Sequence, residues 1–154
     1  MADPSDLRLE VCSDPRLLGL IRGVVRGWMD AFDLVDEARR HEVVLAVDEA
    51  CSNAMRHAYG GRCDETVDLT LGASGEWLEI TVSDRGRPCP PECIQRELPR
   101  VTSADDLRPG GLGLGLMRQV FDEVRLCSGR EGGNCVVLRL RRGGKDGVDG
   151  EDRV

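Results

Sequence analysis

Apolar residues recur at two spacings along the chain, and each spacing predicts one kind of secondary structure. The stretch LRLEVCS (Leu7 to Ser13) alternates between apolar and polar positions as a half-buried strand does. Asp14 can cap the helix that follows, with Pro15 in its first turn. The apolar stripe of this helix has helical spacing and comprises Leu17, Leu18, Ile21, Val24, Val25 and Trp28.

Further along, the pattern predicts a second helix and then a hairpin. The helix spans roughly Asp36 to Tyr59 and ends at Gly60-Gly61, because glycine commonly follows a helix end. Two alternating strands follow, from Thr66 to Leu71 and from Trp77 to Ser83. A glycine- and serine-containing turn joins them, which is typical of a hairpin.

The rest of the chain predicts a loop, a helix, a second hairpin and a tail. From Asp84 to Gly111 the sequence is rich in proline, glycine and charge, which is usual for a functional loop or lid. The segment LGLGLMRQVFDEV predicts a helix, and EVRLCS with GNCVVLRLRR predicts the hairpin. We therefore expect one domain over residues 7–142 and a disordered tail over residues 143–154.

The predicted order, β-α-α-β-β-loop-α-β-β, separates helices from strands and joins neighbouring strands mostly as hairpins. This order favours an α+β fold, a two-layer sandwich, over a doubly wound parallel sheet. We expect a mixed, mostly antiparallel sheet covered on one face by helices.

Composition and charge narrow the class of protein. At 154 residues, with 40% apolar residues, the chain is long enough for one globular domain. It has no apolar run of the ~18 residues that a membrane helix needs, and MADPSDLRLEV lacks a signal-peptide layout. We expect a cytoplasmic protein that does not bind membranes.

The formal net charge of −7 argues against direct, sequence-independent binding of nucleic acid, and it permits binding to a basic protein surface. Lys145 is the only lysine. Any anion site must therefore use arginine, backbone N–H groups or a metal.

Seven cysteines raise the question of disulfides or a metal. Their number is odd, and the closest pair, Cys89 and Cys93, is a CxxxC without a second pair at zinc-ligand spacing. We expect free, mostly buried thiols rather than a zinc site or a redox sensor built from these cysteines.

Three polar residues of the second helix, Glu49, Asn53 and His57, recur every four positions. At about 100° per residue they lie largely opposite the apolar stripe. A polar outer face would explain them, but Ala46 and Ala50 beside them suggest open space above the helix. The apolar stripe of this second helix comprises Val44, Val47, Cys51, Met55 and Ala58.

A carboxylate four residues before an amide has a chemical use. The amide oxygen of Asn53 could bind Mg²⁺, which prefers oxygen ligands and phosphates. The Glu49 carboxylate could accept a proton from an attacking hydroxyl. By itself this spacing is a weak signal.

Glycines cluster at the start of the third predicted helix, in RPGGLGLGLMRQV. Exposed N–H groups at such a position suit phosphate binding. The segment is neither a P-loop, since no Gly-Lys-Ser/Thr follows, nor a Rossmann motif, since a loop precedes it. A flexible hinge remains the alternative.

Asp84 ends the apolar strand ITVSD, and Gly86 comes two residues later. An aspartate at a strand end often serves only to form a turn. It could also be a buried acceptor for an exocyclic amine such as that of adenine.

The order of these three elements resembles the nucleotide-binding boxes of the GHKL ATPase superfamily. Within it, LAVDEACSNAMRHAYGG, SDPRLLGLIRGVV and GGLGLGLMRQVFDEV are similar to the anti-sigma-factor serine/threonine kinases, the switch kinases of bacterial partner switching. The resemblance covers residues 7–141 and implies a Bergerat-type ATP-binding fold.

The resemblance also implies residue roles. Glu49 would be the general base, Asn53 would hold Mg²⁺ against the ATP phosphates, and Asp84 would accept the adenine amino group. Gly86 would allow close approach of the base. Glycines of the lid turn would lie over the phosphates, and Leu114 and Leu116 would anchor the helix behind that turn. The implied ATP-binding residues of this segment are Gly111, Leu112, Gly113, Leu114, Gly115 and Leu116.

The implied partners are proteins. The resemblance implies a STAS-domain anti-anti-sigma protein as substrate, a sigma factor as a second partner, and a homodimer. Trp28, Met29 and Phe32 could supply dimer contacts, although core packing explains them equally well. One departure is Arg87-Pro88, where many relatives have a second glycine. The alternative is therefore an ATP-gated protein-binding regulator without phosphotransfer.

Overall fold

The sheet has five strands and is antiparallel at every pairing in the computed structural model, which describes residues 3–90, 112–128 and 132–143. The strand order is β1-β2-β3-β5-β4. The strands are β1 (Leu7–Cys12), β2 (Thr66–Ser74), β3 (Trp77–Asp84), β4 (Glu123–Ser128) and β5 (Asn134–Arg141). The expected α+β fold is confirmed, but no described pairing is parallel, so the sheet is not mixed in these residues.

In the part of the chain that the structure describes, three helices form the second layer. A 3-10 turn (Pro15–Leu17) leads into α1 (Leu18–Ala31), and α2 (Glu37–Asn53) continues as a π-helical segment (Ala54–Ala58). The third helix, α3, spans Leu112–Val120. Helix α2 packs against both α1 and α3 and contacts β3. It is the central element of the helix layer.

The strands bury one face only, as their alternating sequences predict. In β3, Leu78, Ile80, Val82 and Asp84 are buried, while the residues between them are exposed or half-buried. Successive side chains of a strand point to opposite faces, so these four side chains share the face covered by helices. Asp84 is therefore directed beneath the helix layer.

Both predicted helix starts are confirmed. Asp14 and Asp36 each accept a hydrogen bond from a backbone N–H of the first turn, at 2.9 Å in both cases. The predicted end at Gly60-Gly61 is also confirmed: the Gly61 N–H donates to the Met55 carbonyl at 3.1 Å, and Gly60 has φ of 59°. Glycine tolerates this left-handed conformation at a helix end, and the Gly61 bond spans six residues, one more than in a Schellman motif.

The burial of two alanines differs from the sequence prediction, and the burial of two residues considered for a dimer is explained by the core. Ala46 and Ala50 are 0% and 3% exposed, so they do not leave open space but allow close packing within the helix layer. Trp28 and Met29 belong to the core, and only Phe32, at 43%, is exposed among the residues considered for a dimer.

The cysteines were expected to be mostly buried, and this is wrong for the described ones. Cys51 is buried, Cys135 is half-buried, and Cys12, Cys63, Cys89 and Cys127 are exposed. Cys12 and Cys127 alternate with more buried neighbours on the two edge strands, so their side chains lie on the face of the sheet that the helices do not cover. In the described part of the chain, no group of three or more His, Cys, Asp or Glu side chains is placed to hold a metal ion.

Cys93, Gly110 and Gly111 lie outside the described residues, as does the predicted tail beyond Gly143. Within the described ranges, no helix combines the length and apolar character that crossing a bilayer requires.

Candidate active site

Asp84 is the buried polar centre of the candidate site. It is the last residue of β3, is 6% exposed and lies beneath the helix layer. Burial raises the pKa of its carboxyl, and hydrogen bonds from the Gly86 N–H and from Asn134 oppose that rise. A carboxylate kept beneath helices at a strand end is a suitable acceptor for a ligand amine.

Asn134 holds this carboxylate from the neighbouring strand. It is the direct cross-strand partner of Asp84 in the β3–β5 pairing. Its Nδ2 donates to Asp84 Oδ1 at 3.0 Å and to Oδ2 at 3.3 Å, and its backbone N–H donates to Oδ1 at 3.3 Å. The Gly86 N–H adds a bond to Oδ1 at 3.0 Å. Within residues 3–90, 112–128 and 132–143, Oδ1 therefore has three donors, whereas Oδ2 has one.

Two glycines allow the backbone to approach closely around Asp84. A Cβ on Gly86 would lie 2.3 Å from the Ala58 carbonyl oxygen, and a Cβ on Gly133 would lie 2.1 Å from the Asp84 carbonyl oxygen. Gly133 also has φ of 81°. Only glycine fits either position without moving the backbone. Gly86 was expected to allow close approach of the nucleotide base. In this structure, the group that approaches Gly86 closely is the Ala58 backbone of the helix layer.

The end of the α2 helix is tied to both strand ends at this site. The Arg87 N–H donates to the Ala58 carbonyl at 2.7 Å. The Tyr59 hydroxyl donates to the Thr66 carbonyl at 2.6 Å and accepts from the Arg85 N–H at 2.7 Å. The start of β2, the end of β3 and the helix end thus form one hydrogen-bonded unit.

Glu49 and Asn53 lie on α2 and are half-buried. Glu49 Oε2 is 3.9 Å from Arg56 Nη2, and 35% of its side chain is exposed. The Asn53 side chain makes no hydrogen bond within the described ranges, and none of the hydrogen bonds there joins Asp84 to either residue. Their spacing nevertheless places the carboxylate and the amide on one face of the helix.

His57 does not continue the line of Glu49 and Asn53. It lies in the π-helical segment, where the Tyr59 N–H bonds to the Ala54 carbonyl five residues back. A π turn holds more residues than an α turn, so the angular step from Asn53 to His57 differs from the expected one. The His57 side chain is exposed.

A cleft of about 410 Å³ adjoins the Gly86 contact. Its lining includes His57, Arg62, Glu65, Arg85 and Arg87. Glu49, Asn53 and Asp84 do not line it. Arginine, one of the three means of anion binding that the sequence allowed, therefore lines this neighbouring cleft.

The predicted lid residues divide between described and undescribed positions. Leu112, Gly113 and Gly115 belong to α3, so the lid turn expected at the two glycines is helix instead. Leu114 and Leu116 are half-buried and pack against the core. Any turn before α3 falls on residues outside the described ranges, Gly111 included.

Sequence reasoning missed Asn134, Gly133 and Tyr59. Gly132-Gly133 before a strand was a visible signal for an unusual backbone. The pairing of Asn134 with Asp84, however, joins residues 50 positions apart.

Comparisons with known proteins identify the family. A family model described as a histidine kinase-like ATPase domain matches residues 11–140. The serine-protein kinase RsbW of Bacillus velezensis is 30% identical over 129 residues, covering 79% of this chain and 78% of the relative. RsbW of Bacillus subtilis is 32% identical over 127 residues, covering 78% of this chain and 76% of the relative.

A solved structure supports the fold. The crystal structure of the RsbU and RsbW domains of a Mycobacterium tuberculosis protein superposes with a TM-score of 0.62 at 20% identity. The match covers 88% of this chain and 32% of that longer chain. The chain therefore belongs to the histidine kinase-like ATPase family and, within it, to the serine/threonine protein kinases that the resemblance in its sequence indicated.

Proposed function

We propose that this kinase binds Mg-ATP and phosphorylates a serine or threonine of a STAS-domain anti-anti-sigma protein. It also binds a sigma factor and so acts in partner-switching control of transcription, in the cytoplasm. The observation that carries the proposal is the buried Asp84 carboxylate, held at a strand end under the same helix that presents Glu49 and Asn53. The relatives named as serine-protein kinases support the reaction class.

The residues present fit ATP and Mg²⁺. From the residues that the structure describes, Asp84 Oδ2 accepts one hydrogen bond, at 3.3 Å, and it can accept another from an adenine amino group. The half-buried Asn53 amide has no hydrogen-bond partner among the described residues, and amide oxygen suits Mg²⁺. When bound, ATP supplies the phosphoryl group, and Mg²⁺ neutralises phosphate charge. Gly111 and the start of α3, from Leu112 to Leu116, are proposed to bind the phosphates through backbone N–H groups.

Glu49 is proposed as the general base. It is half-buried on α2, one turn before Asn53, and is therefore close to any phosphate that the Asn53 side chain orients. Its carboxylate would accept the proton of the substrate hydroxyl as phosphate transfer proceeds. Arg56, 3.9 Å away, would hold the carboxylate in place.

Protein binding is supported by exposed apolar residues of the helix layer. Leu20 of α1 and Leu45 of α2 are 57% and 41% exposed, and Phe32 is 43% exposed. Such residues are available for contacts with a second subunit or with a sigma factor. A homodimer remains part of the proposal.

The Glu49→Gln variant tests the reaction. It keeps the shape of the side chain but cannot accept a proton, so we expect ATP affinity close to wild type. Phosphoryl transfer to STAS-domain proteins of the source organism should fall by about 100-fold or more. The assay follows radiolabelled phosphate from ATP to the acceptor protein.

Glu42→Gln is the matched control, since Glu42 is exposed on the same helix, and it should transfer phosphate at the wild-type rate. Equal rates for Glu49→Gln and wild type would show that Glu49 is not the base. ATP binding by the wild type that changes partner affinity, without transfer to any acceptor, would favour the ATP-gated regulator instead.

A further inference from the structure

Asn134 connects two parts of the site that the proposed function treats separately. On one side, its amide nitrogen donates to both oxygens of Asp84, at 3.0 and 3.3 Å. On the other, the same nitrogen donates to the Arg87 carbonyl at 2.9 Å, and its amide oxygen accepts from the Cys89 N–H at 2.6 Å. One side chain thus joins the carboxylate to the backbone that follows it.

The orientation of this amide follows from its partners. A carboxylate and the Arg87 carbonyl can only accept hydrogen bonds, so the amide nitrogen must face them. The Cys89 N–H can only donate, so the amide oxygen must face it. The two ends of the Asn134 amide therefore have different tasks and can be removed separately.

The number of donors at each Asp84 oxygen determines which oxygen can serve a ligand. Among the described residues, Oδ1 accepts from Gly86 and twice from Asn134, whereas Oδ2 accepts once, at 3.3 Å. Rotating the carboxylate would break these bonds. A carboxylate has about four acceptor positions, so Oδ2 keeps the capacity for an incoming donor.

We propose that Asn134 is a positioning residue that determines nucleotide specificity by holding Asp84 with Oδ2 turned toward the base. This inference rests on the proposed binding of ATP. A base with an exocyclic amine at this position, such as adenine, donates to Oδ2. A base with a carbonyl there, such as hypoxanthine in ITP, places an acceptor against an acceptor and is rejected. Discrimination against ITP therefore requires that the Asp84 carboxylate cannot rotate away from the base.

The experiment compares the affinities of the full-length protein for ATP and ITP at pH 8, by calorimetry. We expect wild type to prefer ATP. Asn134→Ala removes the Nδ2 donor to both Asp84 oxygens but leaves the two backbone N–H bonds to Oδ1, so the carboxylate is held less firmly. We expect ATP affinity to fall about tenfold while ITP affinity changes much less. The ATP/ITP affinity ratio should therefore fall about tenfold. The ratio is taken within each variant, and unfolded protein contributes to neither affinity.

Asn134→Asp separates the two ends of the side chain. It keeps an acceptor for the Cys89 N–H but loses the Nδ2 donor that bonds both Asp84 oxygens, while the backbone N–H of residue 134 is unchanged. The ratio should fall at least as far as in Asn134→Ala. Cys135→Ser is the matched control and should leave the ratio unchanged. Cys135 is the next residue of β5, and its side chain lies on the opposite face of the sheet.

Several results would overturn the inference. One is an unchanged ratio in Asn134→Ala with both affinities lowered together, which is the outcome for a purely structural role. Another is a ratio lost in Asn134→Ala but kept in Asn134→Asp, which would assign specificity to the Cys89 contact. Both results presuppose that the wild type binds ATP. If the wild type bound no ATP, the proposed function itself would be contradicted.

Discussion

At the scale of single residues, the site depends on backbone contacts at Gly86 and Gly133 that leave no room for a Cβ atom. The motif Asp84-x-Gly86 was recognisable in the sequence, and Asp84 is in phase with the buried residues of β3. The sequence could therefore predict both residues. Asn134 and Gly133 could not be assigned in this way, because only the β3–β5 pairing brings them to Asp84.

Gly86→Ala should destabilise the protein. Its Cβ would lie 2.3 Å from the Ala58 carbonyl oxygen and 2.6 Å from the carbonyl carbon, and neither backbone atom can move cheaply. We expect the free energy of unfolding to fall by about 1–3 kcal/mol or more, measured by urea denaturation.

Gly23→Ala is the control for that substitution. Gly23 lies within α1, and a Cβ there would meet no atom within 4 Å. Alanine is the better helix former, so this variant should be more stable than wild type by about 0.5–1 kcal/mol. A Gly86→Ala variant as stable as wild type would refute the close contact with Ala58.

At the scale of elements, the end of the second helix is the junction of the site. Its start, its length and its final glycines followed from local sequence signals. The π-helical segment did not, since the same residues suit an α-helix, and the bonds of Ala58 and Tyr59 to the strand ends exist only in the folded chain. The predicted line of Glu49, Asn53 and His57 was wrong at His57 for this reason.

Tyr59→Phe tests this junction. The change leaves the Thr66 carbonyl without its hydroxyl donor and the Arg85 N–H without its acceptor. We expect a loss of about 1–3 kcal/mol in the free energy of unfolding, measured by denaturant titration.

Ser74→Ala serves as the comparison for Tyr59→Phe, because Ser74 is exposed at the end of β2 and its hydroxyl has no hydrogen bond among the described residues. It should change stability by less than about 0.5 kcal/mol. Equal effects of the two substitutions would mean that the Tyr59 hydroxyl does not tie the elements together.

At the scale of the whole molecule, one helix layer covers one face of the sheet, and this arrangement sets the accessibility of the thiols. Cys51 lies on α2 between the layers and is 0% exposed. Burial raises its pKa to about 12, so little thiolate is present at neutral pH. The exposed thiols lie on edge strands or in loops.

Thiol labelling should report this difference. In native protein a maleimide should react with Cys12, Cys63 and Cys89, and Cys51 should react only when the domain unfolds. Cys127 is exposed, but burial of its sulfur and its hydrogen bond to the Cys135 carbonyl raise its pKa to about 11, so it should react more slowly than Cys63. Peptide mass spectrometry over a urea series would follow each site, and Cys51 labelling should rise with the unfolding transition. Labelling of Cys51 in native protein at the rate of Cys63 would contradict the two-layer core.

The sequence alone determined the identity and order of the elements, the capped helix starts, and the buried phase of Asp84, because periodicity and capping depend on residues close together in the chain. Only the tertiary structure decided which distant residues contact the buried side chains. It placed Asn134 against Asp84, Gly86 against Ala58, and Ala46 and Ala50 inside the helix layer. A hydrophobic pattern shows which side of an element is buried, but not which distant residue covers it.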